Sequence, residues 1–164
     1  MPAGRSAATV RRPAGRCPSG WSAESGRGPG GAAYLELIGS LFADPEADPA
    51  AATVAAFTGA AETLRELDFT DPCPIATVAL EVASTHEALR RATADVFASW
   101  IEALAGFYAR AGIEAETARD TAGSVIALLE GAFMLGRAAH DTAPVLAAAR
   151  ASAAIVRDAL GRAG

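Results

Sequence analysis

From residue 32 onward, apolar residues recur every three or four positions, which is the spacing of one face of an α-helix. Short stretches that contain proline, glycine or aspartate separate these amphipathic segments. No segment after residue 32 shows the strict apolar–polar alternation that indicates a half-buried strand. The pattern predicts an all-α fold of six helices, over residues 32–43, 49–67, 75–83, about 86–111, 114–139 and 144–160.

Capping and helix-breaking residues set the predicted helix boundaries. Polar side chains such as Asp, Ser and Thr cap helix N-termini, and proline fits the first helical turn. Glycine commonly ends a helix because it adopts a left-handed conformation without strain. The predicted boundaries are Asp48 followed by Pro49, Pro74 after the DFTDPCP stretch, Ser84 or Thr85, Gly112, and Asp141 or Thr142.

The predicted helix 114–139 is apolar on nearly every side between Val125 and Leu135. Such a helix has to be covered on both flanks, by its own core and by something else. The last helix also carries two apolar faces, so two such helices from each of two copies would form a four-helix interface. We therefore predict a dimer interface made of Leu128, Ala132, Leu135, Val145, Ala149 and Val156.

The composition changes abruptly near residue 31. Residues 1–31 carry five arginines against the single acid Glu24, whereas residues 32–164 carry nine arginines against eighteen acids. The first segment has too little apolar material to offset the entropy of ordering it. We predict a disordered or misread tail over 1–31 and one helical domain over 32–164, in which the excess of alanine also favours helix.

Charge and cysteine usage exclude several classes of protein. The formal net charge of −5 argues against a chain that binds nucleic acid over its whole surface. Cys17 and Cys73 form neither a disulfide framework nor a metal-ligand spacing. The longest apolar run, 125–136, is interrupted by Glu130 and is too short to span a bilayer. These patterns predict a cytoplasmic protein without a cofactor and without a membrane partner, and they do not favour an enzyme.

The order of the motifs resembles the C-terminal regulatory domain of TetR/AcrR-type transcriptional regulators, and within them the LmrA/YxaF-like branch. In that branch a Cys-Pro pair opens a helix, a long helix carries spaced aromatic residues, and a Leu-Glu-Gly helix precedes a final dimer helix. The matching elements here are Cys73–Pro74, Phe97 with Trp100, 129–131 and 144–160. Pro72 stands where the branch usually has glycine.

This resemblance implies a domain that binds a small apolar or aromatic effector between its helices and forms dimers. An effector site needs an apolar cavity with a few polar groups that orient the ligand. The candidate lining residues are Phe57, Leu64, Phe69, Phe97, Trp100, Leu104 and Met134, with Thr77 and Glu130 as the polar groups. Each aromatic residue could equally be ordinary core.

Glu130 stands out among these candidates because both of its neighbours along the helix are apolar. A buried carboxylate needs a partner, and Arg137 lies two turns further along the same face. Three roles stay open for Glu130: an ion pair at a helix contact, a ligand contact, or an exposed position without a role.

The resemblance also implies a helix-turn-helix unit of about 45 residues ahead of residue 32, where the sequence has 31. We therefore expect the chain to lack its own DNA-binding unit and to contact DNA only if one is supplied. The expected partners are a second copy or, in a mixed dimer, a full-length relative. The rival hypothesis is a stand-alone helical binding or scaffold protein without a link to transcription.

Overall fold

The computed structural model describes residues 47–82 and 84–162, and these form an all-α structure of five helices. The helices are α1 (Pro49–Glu66), α2 (Pro74–Val82), α3 (Glu87–Arg110), α4 (Ala115–Ala139) and α5 (Ala143–Gly161). The predicted all-α class is confirmed. The first of the six predicted helices, over 32–43, and the predicted tail over 1–31 lie outside the described residues.

Two of the predicted boundaries show their physical basis directly. The Asp48 side chain accepts a hydrogen bond from the backbone N–H of Ala50 at 3.0 Å, and Pro49 occupies the first turn of α1. After α3, Gly112 has a φ of 103°, a left-handed conformation that residues with a side chain rarely adopt. Both ends therefore follow from local sequence.

The start of α3 differs from the prediction, because His86 is its N-cap residue rather than Ser84 or Thr85. The His86 side chain makes no capping hydrogen bond. The carboxylate of Glu87, in the first turn, instead accepts hydrogen bonds from Arg90 and Arg91. A negative charge at this end of a helix also interacts favourably with the helix dipole, so Glu87 stabilises the first turn.

Helix α5 packs along both α1 and α4. Helix α4 also packs on α3, and α2 packs on α3. Helix α4 approaches its neighbours closely at Gly136. A Cβ atom there would lie 2.9 Å from Leu64 Cδ2 of α1, 2.9 Å from the carbonyl oxygen of Asp141 in the turn after α4, and 3.9 Å from Val145 Cγ2 of α5. At the other end of α1, the Thr53 and Tyr108 hydroxyls share a buried hydrogen bond of 2.8 Å.

The packing of α5 corrects the predicted dimer interface. Its apolar face lies against the chain's own α1 and α4, so most of the predicted interface residues are already covered within one chain. The four residues buried in this way are Ala132, Val145, Ala149 and Val156. The apolar faces of two helices in one chain can bury each other, and sequence periodicity does not indicate which neighbour covers which face. Only Leu128, half-buried, and Leu135, 64% exposed, are open to a second copy.

Among the described residues, α4 alone is long and apolar enough to cross a membrane by length and composition. The core helix of a soluble protein passes the same test, and α4 buries one face against α3 and α5. Its apolar character therefore follows from its central position in the bundle.

Candidate functional site

A small cleft opens where the segment 71–73 and α2 meet the C-terminal half of α4. Its volume is about 30 Å³, which is room for about one or two water molecules. The cleft is lined by Asp71, Pro72, Cys73, Ala76, Thr77, Leu80, Glu130, Phe133, Met134 and Arg137. The cleft combines an apolar wall with four polar or charged groups, which is the composition of a small-molecule site. Its volume is much smaller than that of a typical small-molecule site.

A hydrogen-bonded turn holds one wall of the cleft. The Thr77 hydroxyl donates to Asp71 Oδ1 at 2.8 Å, and the Thr77 backbone N–H donates to the Cys73 carbonyl at 3.2 Å. Arg137 of α4 approaches the same Asp71 oxygen at 3.8 Å across the mouth of the cleft. The Asp71 carboxylate is therefore engaged from both sides, while the pair with Arg137 is long and partly exposed to solvent.

Glu130 of α4 lines the cleft. Its Oε1 atom is buried and has no hydrogen-bond partner among the described residues. Burial raises the pKa of Glu130 to about 7, against a smaller lowering by a hydrogen bond with the Cys73 thiol, and the Asp71 charge raises it further. Near neutral pH this carboxyl therefore exchanges between its charged and neutral forms.

The Cys73 thiol, which hydrogen-bonds to Glu130, is unreactive. Burial, with the nearby Glu130 charge, raises the pKa of Cys73 to about 12. Only the thiolate is a strong nucleophile or metal ligand, so this side chain stays protonated and acts as a small buried group. In residues 47–82 and 84–162 no cluster of His, Cys, Asp and Glu could hold a metal ion.

The structure gives Arg137 a different partner from the one the sequence suggested. It lies within salt-bridge distance of Asp71 rather than of Glu130. The DFTDPCP turn brings the Asp71 side chain over the end of α4, which the spacing along one helix could not indicate. Of the three roles considered for Glu130, an ion pair with Arg137 is absent from the described residues.

Two large apolar side chains form the rim of the cleft and face solvent. Leu80 on α2 is 69% exposed and Met134 on α4 is 57% exposed. Single exposed apolar residues are ordinary on protein surfaces. Here both border the same opening, so an apolar body placed across the mouth would cover both.

The nine predicted effector-site residues fall in two places. Thr77, Glu130 and Met134 line the cleft together. The structure does not bring the other six to the cleft: Phe57, Leu64, Trp100 and Leu104 are buried in the core, Phe97 packs edge-on against Trp100 with ring centroids 5.2 Å apart, and Phe69 contacts His140. The aromatic residues of α1 and α3 fill space between helices.

Several lining residues were not predicted from the sequence. Asp71 and Cys73 lie in the DFTDPCP stretch, which the sequence analysis read as a helix break and, at Cys73–Pro74, as a motif of the resemblance, but not as part of a site. Phe133 lies one turn after Glu130 on α4 and shares its side of the helix. That spacing could have identified Phe133, whereas the position of the 71–73 segment depends on the fold.

One side of α4 consists of exposed and partly buried positions, and it has no charged residue over four turns. Its members are spaced by three and four positions and are exposed or half-buried: Ser124, Ala127, Leu128, Gly131, Leu135 and Ala138. Exposed faces of surface helices normally carry charged and polar residues. This uncharged α4 face therefore has the composition of a contact surface.

Comparison with known protein families gives the class of the chain. Residues 49–151 match the C-terminal domain of LmrA/YxaF-like transcriptional regulators. The match covers more than half of the chain, and the chain belongs to this family of TetR-type regulators. A search among curated proteins finds no match.

Membership explains the helical architecture and confirms the resemblance to LmrA/YxaF-like regulators that the sequence predicted. The domain is the regulatory part of a transcriptional regulator, for which a role in ligand binding or dimerisation is expected. Proteins of this family are regulators rather than enzymes, and they typically dimerise and bind small-molecule effectors.

Proposed function

We propose that the chain is the effector-binding and dimerising domain of a TetR-like transcriptional repressor. A small apolar or aromatic molecule binds at the cleft, and a second copy of the chain packs on the uncharged α4 face. The observation that carries the proposal is that α4 serves both surfaces. Glu130 and Phe133 point to the cleft, whereas Leu128 and Leu135 lie on the uncharged face.

The effector would enter only in part. Sites for drug-sized ligands have volumes of roughly 300–1,000 Å³, and the cleft holds about 30 Å³. We infer that a polar group of the effector occupies the cleft while its apolar body lies across Leu80 and Met134. Binding would then press on α4 from one side.

This arrangement supports a mechanism of regulation. A ligand changes function at a distance only if it binds two states of the protein with different affinity. A shift or rotation of α4 that accommodates the ligand would also move Leu128 and Leu135 at the interface. In an intact regulator, such a change would reorient the DNA-binding units that the dimer holds.

DNA contact requires a helix-turn-helix unit, whereas residues 49–151 match the C-terminal regulatory domain of the family. A partner that carries such a unit, in a mixed dimer with a full-length relative, would let this domain modulate DNA binding. We propose a cytoplasmic location, because a transcriptional regulator of this family acts where the DNA is.

Light scattering at micromolar concentration tests the dimer. The proposal expects a mass twice the 16.6 kDa of one chain. Replacing Leu128 and Leu135 with glutamine should lower the mass to that of one chain while helical circular dichroism is retained. Leu80→Gln is the control, since it changes a leucine that is about as exposed as Leu135 but lies on the cleft, and it should remain a dimer. A wild-type monomer would contradict the dimer.

A further inference from the structure

We propose that the ligand taken by the cleft is an apolar organic amine, whose protonated nitrogen donates a hydrogen bond to Glu130 Oε1 while its apolar body covers Leu80 and Met134. This inference rests on the proposed function, because it names the chemical class of the effector at the same site.

The first step is the unsatisfied acceptor. Buried side-chain oxygens are nearly always hydrogen-bonded, because leaving one without a partner costs free energy. Glu130 Oε1 is buried and has no partner among the described residues, and Glu130 is one of the residues that line the cleft. A ligand that donates a hydrogen bond there removes this cost, so the site favours a donor.

The second step is the charge around the cleft. The titratable and charged groups that line it are Asp71 and Cys73 from the segment before α2, with Glu130 and Arg137 from α4. None of the lining residues lies on α3. Arg137 faces Asp71, and the thiol of Cys73 is neutral. An ionised Glu130 is therefore the uncompensated charge, which attracts a cation and repels an anionic ligand.

The third step is shape. The cleft is wide enough for a group the size of a water molecule, and an ammonium group has about this volume and supplies hydrogen-bond donors only. The mouth is bordered by exposed Leu80 and Met134. Methionine adapts its shape to apolar partners because its side chain is flexible and polarisable. A hydrophobic body attached to the ammonium group would be held there.

Amine binding is coupled to the proton of Glu130. The free protein holds the Glu130 carboxyl partly protonated near neutrality, since its pKa is about 7. A cation binds the ionised form, so binding releases this proton. Affinity should rise with pH up to about 7 and level off above it, with a gain of about tenfold or more between acidic and mildly alkaline solution.

The test compares three probes of similar size on the whole chain by amide NMR titration. The probes are 2-phenylethylamine, 2-phenylethanol and 3-phenylpropionate, which supply a cation, a neutral donor and an anion. We expect the amine to shift the signals of Ala76, Leu80 and Met134 at a lower concentration than the other two probes. Its dissociation constant should fall about tenfold or more from about pH 5.5 to about pH 8.

Two variants distinguish the effect of the Glu130 carboxylate on amine binding from a general effect of removing a negative charge. Glu130→Gln keeps the size of the side chain and removes its charge, and it should abolish both the preference for the amine and the pH dependence. Glu81→Gln is the matched control, because the same change is made at an exposed position on α2, and it should behave as wild type. Circular dichroism verifies that both variants keep their helices.

The outcomes distinguish this inference from the proposed function. Equal binding of amine and alcohol, unchanged in Glu130→Gln, would overturn the amine and leave a ligand site of another class. An amine affinity that does not vary with pH would also overturn it. If no probe shifts the cleft signals, both the amine and the effector site fail, whereas the dimer is judged by light scattering alone.

Discussion

The two sides of α4 differ in how completely their side chains are buried and paired. Toward α1 and α5, side chains such as Leu64, Val145 and Val156 are completely buried. Toward α2, the cleft leaves a carboxylate oxygen without a partner among the described residues and two large apolar side chains in solvent. One side is optimised for packing, and the other carries features that destabilise the isolated chain.

This difference indicates where stability and function reside. Adding or removing volume in a natural core lowers the free energy of unfolding, because cores are packed to nearly crystalline density. Binding sites commonly keep unsatisfied polar groups and exposed apolar groups that a ligand later covers. Changes on the core side should therefore cost stability, and changes in the cleft should alter ligand binding and pH dependence while the fold is retained.

The largest effect is expected from Leu64→Ala. Leu64 is completely buried between α1 and α4, and removal of a core leucine leaves a cavity that costs about 3 kcal/mol. Urea unfolding followed by circular dichroism measures this loss. The control is Leu67→Ala, three residues later and 42% exposed, which should cost about 1 kcal/mol or less. Equal losses for both would mean that the core side is not tightly packed.

Gly136→Ala tests the close approach of the helices. The added Cβ would meet a backbone oxygen, which cannot move cheaply, together with Leu64 Cδ2, and we expect a loss of about 2 kcal/mol. Gly123→Ala on the same helix is the matched control, since nothing lies within 4 Å of its added Cβ. It should gain up to about 1 kcal/mol from helix propensity. A gain at both positions would contradict the packing of α4 described above.

Glu130→Gln should change how stability depends on pH. The folded-state pKa of Glu130 is raised from 4.5 to about 7, so its neutral form stabilises the fold fully below pH 4.5. That contribution is lost as the pH rises through the window from 4.5 to about 7, and it is at most about 3 kcal/mol. Relative to wild type, the variant should gain stability across this window and no further above it. A difference that stays constant with pH would show that Glu130 is not desolvated.

The smallest effect belongs to Tyr108→Phe. The Thr53 hydroxyl donates to the Pro49 carbonyl at 2.8 Å, so the Tyr108 hydroxyl donates to Thr53. Removing it should cost about 1 kcal/mol, the usual net worth of one hydrogen bond. Thr53→Val should cost more, because it leaves the buried Tyr108 hydroxyl without its acceptor. Thermal unfolding of the two variants, compared at equal concentration, gives this order, and the reverse order would contradict the assigned direction of the bond.

The helices and several of their ends could be predicted from the sequence, because their causes are local. Proline at the start of α1 and glycine after α3 act within one turn of the chain. The cap of α3 could not be predicted, since Ser84 and Thr85 offered hydroxyls of the right chemistry one or two positions too early. His86 takes the position, and Glu87 stabilises the turn through its arginine partners.

The site was less predictable, because its causes lie in the tertiary structure. Periodicity indicates that Trp100 and Val156 are buried, but it does not say whether a cavity, a neighbouring helix or a second copy covers them. Glu130 could be singled out because a carboxylate within an apolar run conflicts with its surroundings. Its neighbours Asp71 and Cys73 come from a turn whose position depends on how α2 folds back onto α4.

The most direct test of the account is the titration of the Glu130 carboxyl carbon by NMR in the free protein and with saturating 2-phenylethylamine. The account predicts a midpoint near pH 7 in the free protein and a midpoint lowered by about one unit or more when the amine is bound. A midpoint near the ordinary value of 4.5 in the free protein, or one that the amine leaves unchanged, would contradict it.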